Sequence, residues 1–255
     1  LYLYFTDRAN GTIMIAWRET LGIKMLMFFH KASPFLLIPL SIALTLTKGY
    51  KRFLLIILLA LPIILGGSRT PILCCLALIG YVSFESVRNT SIRRFLFILG
   101  LIVVGLLLFS LLSEAKSANE LKFGSADSYL HSLTSSIPNL LIGKGIGGEI
   151  YIPGRGYEPN SELSIFDLFN QYGLIVGLLF LLFLLYPALP LIKSRQLKNR
   201  GIGVAYLLYN IVAATNPLLF SSTGWYVWTV VYTISYKSTS VSNIHQDDFS
   251  LYRHI

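Results

Sequence analysis

Apolar residues in this chain fall in long uninterrupted runs, among them LLIILLALPIIL (54–65), LFILGLIVVGLLLFSLL (96–112) and LIVGLLFLLFLLYPALPLI (174–192). None alternates with a period of two, which argues against strands and a membrane β-barrel, and none carries the polar face of an amphipathic soluble helix. The pattern predicts helices over 32–47, 53–65, 70–84, 95–112, 165–192 and 203–220, with a shorter one over 225–236. Several fall short of the ~20 residues that a perpendicular span needs, so their ends extend into flanking polar residues or sit where the bilayer thins.

The fold class expected is therefore an all-α polytopic membrane protein of about six or seven transmembrane helices with one large extracytoplasmic loop. Residues 1–31 read as an extracytoplasmic or interfacial segment, because TDRANGTIMIAWRETLGIK is too polar to cross lipid. Four spans over 32–112, the large loop over 113–164, two to three spans over 165–236 and a poorly ordered cytoplasmic tail over 237–255 complete one integral membrane domain. The chain opens on Leu with no charged-then-apolar leader, and reads as lacking the N-terminal part of a longer protein.

Composition agrees, with 54% hydrophobic residues and only 13% charged. The formal net charge of +9 would raise the question of nucleic acid, but the placement of the charges answers it. Lys48, Lys51 and Arg52 occupy one connection, Arg88, Arg93 and Arg94 the next but one, and Lys193, Arg195, Lys198 and Arg200 the next but one again. Alternate connections are basic, which by the positive-inside rule puts them in the cytoplasm and puts Arg8, Arg18, Arg69 and the 113–164 loop outside. No basic face interleaved with aromatics remains, so nucleic acid is not a partner. Cys74 and Cys75 are adjacent within an apolar run, where a mutual disulfide is geometrically disfavoured, and read as packing residues.

Topology leaves the outer charges unexplained. Arg69 stands alone in GGSRTP between two apolar runs, where Gly and Pro suffice for a turn and an ionised group needs a partner or must snorkel to the headgroups. Arg155, in PGRGYEP, is flanked by glycines that let backbone approach a ligand, or is a solvated loop charge. Arg8 is weaker, since interfacial segments carry arginines for lipid phosphates. The working surface is placed in 141–189, where a glycine-rich polar loop with Lys144, Glu149, Arg155, Glu158 and Glu162 runs into an apolar helix.

Several of these segments, in this order, resemble the O-antigen polymerase and O-antigen ligase superfamily of Wzy-type membrane glycosyltransferases. They are Gly67-Ser68-Arg69-Thr70 at the start of a span, Gly143-Lys144-Gly145-Ile146-Gly147 in the large loop, and Asn160-Ser161-Glu162 ahead of Gln171-Tyr172-Gly173-Leu174-Ile175. Asn216-Pro217 with Ser221-Ser222-Thr223-Gly224 extends the similarity to most of the chain. GKGIGG is not a dinucleotide fingerprint, having no strand and acidic ribose partner. The histidine of the ligase branch is replaced by Glu162, which favours the polymerase.

The resemblance implies polymerisation of polyprenyl-pyrophosphate-linked repeat units into O-antigen, capsule or exopolysaccharide at the outer face of the bacterial cytoplasmic membrane. Implied partners are those lipid-linked glycans, membrane lipids, a chain-length regulator and a flippase. No cofactor and no metal are expected, because the paired Asp247-Asp248 lies in the predicted cytoplasmic tail. Guanidinium groups, with their fixed fork of donors, would instead neutralise the leaving pyrophosphate: Arg69 and Arg155, supported by Arg8. Glu162 is the expected base for the acceptor hydroxyl, although an acid in a first helical turn also simply complements the helix dipole. Glu158 and Asp167 are fallbacks, and His131 could do the same work, although YLHSLTSS around it reads as a surface helix. The other readings are the ligase, a non-enzymatic lipid-linked oligosaccharide flippase or transporter, and a non-catalytic assembly subunit.

Overall fold

The computed structural model describes residues 13–20, 23–30, 33–66, 68–87, 116–152, 156–158, 163–216, 218–219 and 221–251, and the side chains of 13–30, 69, 116–122 and 239–251 lie outside that description. The expected span over 95–112 and the basic group Arg88, Arg93 and Arg94 also lie outside it.

The described chain is mostly helical, as the uninterrupted apolar runs require. A 3-10 turn (Ser33–Leu36) leads into α1 (Leu37–Leu46), followed by α2 (Gly49–Leu65) and α3 (Arg69–Ser86). Later come α4 (Lys116–Thr134), α5 (Ile137–Ile142), α6 (Ser164–Leu185), α7 (Ala188–Lys193), α8 (Leu197–Ala214) and α9 (Ser222–Leu251).

Three features depart from expectation. Two antiparallel hairpins interrupt the helices: β1 (Ile13–Thr20) with β2 (Ile23–His30), in register from Ile13↔His30 to Thr20↔Ile23, and β3 (Ile150–Ile152) with β4 (Gly156–Glu158). The first lies within the segment read as extracytoplasmic or interfacial over 1–31. In addition α9 runs on to Leu251, well into the stretch expected to be a poorly ordered tail.

Helix α8 is the hub, packed against α1, α3, α7 and α9. Its buried Ile202, Ala205, Tyr206, Tyr209, Val212 and Ala213 recur at helical spacing, and small residues bring neighbouring backbones close. A Cβ on Gly203 would stand 2.9 Å from Ile192 and 3.0 Å from Leu191, which is why α7 sits so near. Pro187, between α6 and α7, has no N–H to offer the Phe183 carbonyl one turn back. The Trp228 indole N–H donates to that carbonyl instead, at 3.3 Å, with the Trp228 and Phe183 rings stacked at 4.6 Å. The Tyr206 hydroxyl likewise donates to the Leu184 carbonyl at 2.7 Å.

The bundle has two chemically different ends. At one, Arg200 of α8 pairs with Glu85 of α3 at 2.6 Å, Asn199 donates to Ser238 of α9 at 2.8 Å, and Gly201 lies beside Thr45 of α1. Exposed Lys48, Lys193, Arg195, Lys198 and Lys237 all belong to this end, so two connections that are remote in sequence form one basic rim. At the other end Ser164, opening α6, donates to the Asn216 carbonyl beyond α8 at 2.6 Å, α4 and α5 pack on α6, and the β3–β4 hairpin packs through β3 on α4. The backbone of Arg69, first residue of α3, is also at this end, because α3 runs antiparallel to α8.

Candidate functional site

The site is built around a discontinuity in α6. Gly173 has φ 72° and ψ −179°, which ends one helical segment and begins another within Ser164–Leu185. A broken helix leaves the carbonyls of its last turn without donors. Here a loop supplies them: Lys144 N–H donates to the Asn170 carbonyl at 2.8 Å and Gly145 N–H to the Gln171 carbonyl at 3.0 Å. The Gly-x-Gly element and the Tyr-Gly pair that sequence singled out separately are thus one joint. Gly143, at φ 82°, lets the loop come this close, since a Cβ there would stand 2.5 Å from both the Gln171 carbonyl oxygen and the Gly173 nitrogen.

Polar side chains lock the joint to α4. Asp167, Asn170 and Gln171 share one face of the first half of α6 by their i, i+3, i+4 spacing. The buried phenol of Tyr129 donates to Asp167, Ser132 donates to the side-chain Oδ1 of Asn170 at 2.9 Å, and the Asn170 side-chain amide donates to the Gly148 carbonyl at 3.2 Å. Tyr129, Ile150 and Ile152 form a small core beneath, with Phe166 stacked on Tyr129 at 5.6 Å.

Above this floor opens a pocket of about 340 Å3 between α4, the glycine loop and the β3–β4 hairpin. Asp127, His131 and Ser132 line it from α4, Lys144 and Glu149 from the loop, and Tyr151 and Tyr157 from the hairpin. The two tyrosine rings meet edge to face at 5.6 Å, and both are well exposed. Among the described residues no group of three or more His, Cys, Asp or Glu is arranged to hold a metal ion.

Of the residues chosen from sequence, Arg8, Arg155 and Glu162 lie outside the described residues, and Arg69 is described in its backbone alone. Asp167 is buried and bonded to Tyr129, a joint residue rather than a free base, and Glu158 lies on β4 paired with Ile150. His131 is exposed on α4 within the pocket, together with Lys144 and Glu149. Asn170, Tyr151 and Tyr157 were not singled out. The signal for Asn170 was an amide in FDLFNQYG one turn from Asp167, and for the tyrosines their symmetric placing about PGRG.

Beyond Gly173 the chain is apolar and outward-facing. Leu174, Ile175, Leu178, Leu179 and Leu182 are all substantially exposed, as are Phe53, Leu54 and Leu58 of α2. Among the described residues α6 is the one helix long and apolar enough to cross a membrane, by length and composition. No protein-family model matches the chain, and no curated protein matches it.

Proposed function

We propose that this chain is an integral membrane glycosyltransferase that extends polyprenyl-pyrophosphate-linked repeat units into a surface polysaccharide. The reading is supported above all by the joint of the Gly143 loop with the helix break at Gly173, which makes a polar, pocket-bearing surface continuous with an apolar helix. Tyr186 and Pro187 keep helical backbone angles, so Leu174 to Ile192 amounts to ~28 Å of helical rise, close to the ~30 Å hydrocarbon core. Exposed apolar faces of this extent are stable against lipid or a partner and not against water. The basic rim at the opposite end gives the charge asymmetry of a multi-pass protein with that rim in the cytoplasm, and the pocket then faces outward.

In this reading Arg69, whose backbone opens α3 at the pocket end, neutralises the leaving pyrophosphate together with Arg155 and Arg8, and Glu162 serves the acceptor hydroxyl. The chemistry needs permanent cations because phosphate oxygens gain charge as the glycosyl bond breaks. The test is the length of surface polysaccharide in cells carrying Arg69→Lys. A point charge cannot reproduce a forked contact, so chains shorten to single repeats while the protein stays in the membrane. Normal chain length would remove Arg69 from the mechanism.

A transporter of lipid-linked saccharides is the second reading, favoured by the discontinuous α6, since transporters build substrate sites on broken helices. Against it, the break divides a polar half, SIFDLFNQY, from an apolar half, a placing that speaks for a membrane surface and against a site at the midplane.

A further inference from the structure

The pocket between α4, the glycine loop and the β3–β4 hairpin carries its own chemical signature. Among the described residues its lining carries two carboxylates, Asp127 and Glu149, and the ammonium of Lys144, with the His131 imidazole beside them. Among these groups the carboxylates outnumber the ammonium, which favours a hydroxyl- or amine-bearing ligand over a dense anion. What the lining does offer is carboxylate acceptors, the hydroxyls of Ser128, Ser132 and Ser135, and two exposed aromatic rings set at 65° to one another on the rim. Carboxylates accept from paired hydroxyl or amide donors, and aromatic faces cover the C–H side of a flat, polar ring at little conformational cost.

We infer that this pocket binds the uncharged or amino-bearing glycan end of the acceptor chain, with Tyr151 and Tyr157 as the stacking platform and Asp127 and Glu149 as the hydroxyl-reading groups. The inference rests on the glycosyltransferase reading and adds a division of labour to it: the arginines serve the anionic carrier, and this pocket serves the growing sugar end. The floor is suited to the task because buried Ser132 of α4 is bonded to buried Asn170 of α6, whose amide in turn donates to Gly148 of the loop, which fixes the spacing between α4 and the loop before any ligand arrives.

The experiment uses the full chain purified in detergent and an array of neutral, N-acetylhexosamine and uronic-acid oligosaccharides. Neutral or amino-sugar oligosaccharides bind and uronic-acid ones do not. Tyr157→Ala and Tyr151→Ala each weaken that binding about tenfold, the scale of one lost aromatic contact, whereas Tyr157→Phe retains it. Tyr157 is 72% exposed, so its truncation leaves the fold standing. Binding confined to uronic-acid glycans, binding indifferent to both alanine variants, or no saccharide bound at all overturns the inference. Chain extension measured alongside separates the two claims. Extension with an unchanged acceptor KM in Tyr157→Ala defeats the pocket and leaves the glycosyltransferase standing, while tyrosine-dependent binding without any extension defeats the glycosyltransferase and leaves the pocket.

Discussion

Gly143 and Gly173 lie backbone against backbone, each with positive φ (82° and 72°) and a ψ near 180° (−177° and −179°). That region of backbone space is essentially closed to any residue with a Cβ. A Cβ on Gly173 would also overlap the Leu141 carbonyl, so neither conformation nor space permits a substitute. One contact between two glycines holds the polar loop against the broken helix, and the pocket depends on it.

Gly173→Ala should therefore cost about 3 kcal/mol or more, from strain and overlap together. Gly147 supplies the control: its φ is also positive, at 81°, but nothing lies within 4 Å of the site of a Cβ. Gly147→Ala should cost about 1–2 kcal/mol. Thermal unfolding in detergent reads the difference, and equal drops in Tm would show that the close approach contributes nothing.

The Tyr129–Asp167 bond ties α4 to the first half of α6 in a buried setting. Tyr129→Phe removes the donor while keeping the ring stacked on Phe166, and is expected to destabilise by about 1–3 kcal/mol. Adding Asp167→Asn to it should cost less than the sum of the two single changes. Strict additivity in denaturant unfolding would mean that the pair is not coupled.

The proposed membrane-spanning arrangement would put the two ends of the bundle on opposite sides. A cysteine at exposed Ser135, beside the pocket, should react with a membrane-impermeant maleimide in intact spheroplasts. One at exposed Arg195, on the basic rim, should react only after permeabilisation. Native Cys74 and Cys75 are buried and give little background. Labelling of both positions from the same side would contradict a membrane-spanning arrangement.

Much of this was legible in the sequence because helices in an apolar setting announce themselves by length and uniformity. The boundaries expected at 53–65 and 70–84 fall within α2 and α3. Two of the three basic connections expected on one side, those at Lys48 and at Lys193 to Lys198, meet in the basic rim, while the third, at Arg88 to Arg94, lies outside the described residues. Gly-x-Gly and Tyr-Gly were each visible, but that one caps the other is a contact across more than a turn of loop and two helices, and no local pattern encodes it. The same holds for Tyr129 with Asp167. Helix α4 was legible only around His131, where YLHSLTSS reads as a surface helix; its full extent was not, because KSANELKFGSADSYLHSLT has no apolar stripe and is ordered by packing on α6 and β3. The β1–β2 hairpin had a signal that was passed over: two eight-residue runs joined by the two residues Leu21-Gly22.

Glu162→Gln and Glu149→Gln should fail differently. If Glu162 takes the acceptor proton, its amide lowers kcat with little change in KM, whereas the Glu149 amide, in the pocket, raises the acceptor KM and spares kcat. The same kinetic signature for both variants would remove the assignment of a base to Glu162.

The most direct measurement is made on the full-length protein in liposomes supplied with polyprenyl-pyrophosphate-linked repeat units and no nucleotide sugar. A ladder of lengthening glycans on the lipid carrier, lost in Arg69→Lys, is the expected result. Movement of the repeat units across the bilayer with no lengthening would contradict it and give the chain to the transporters.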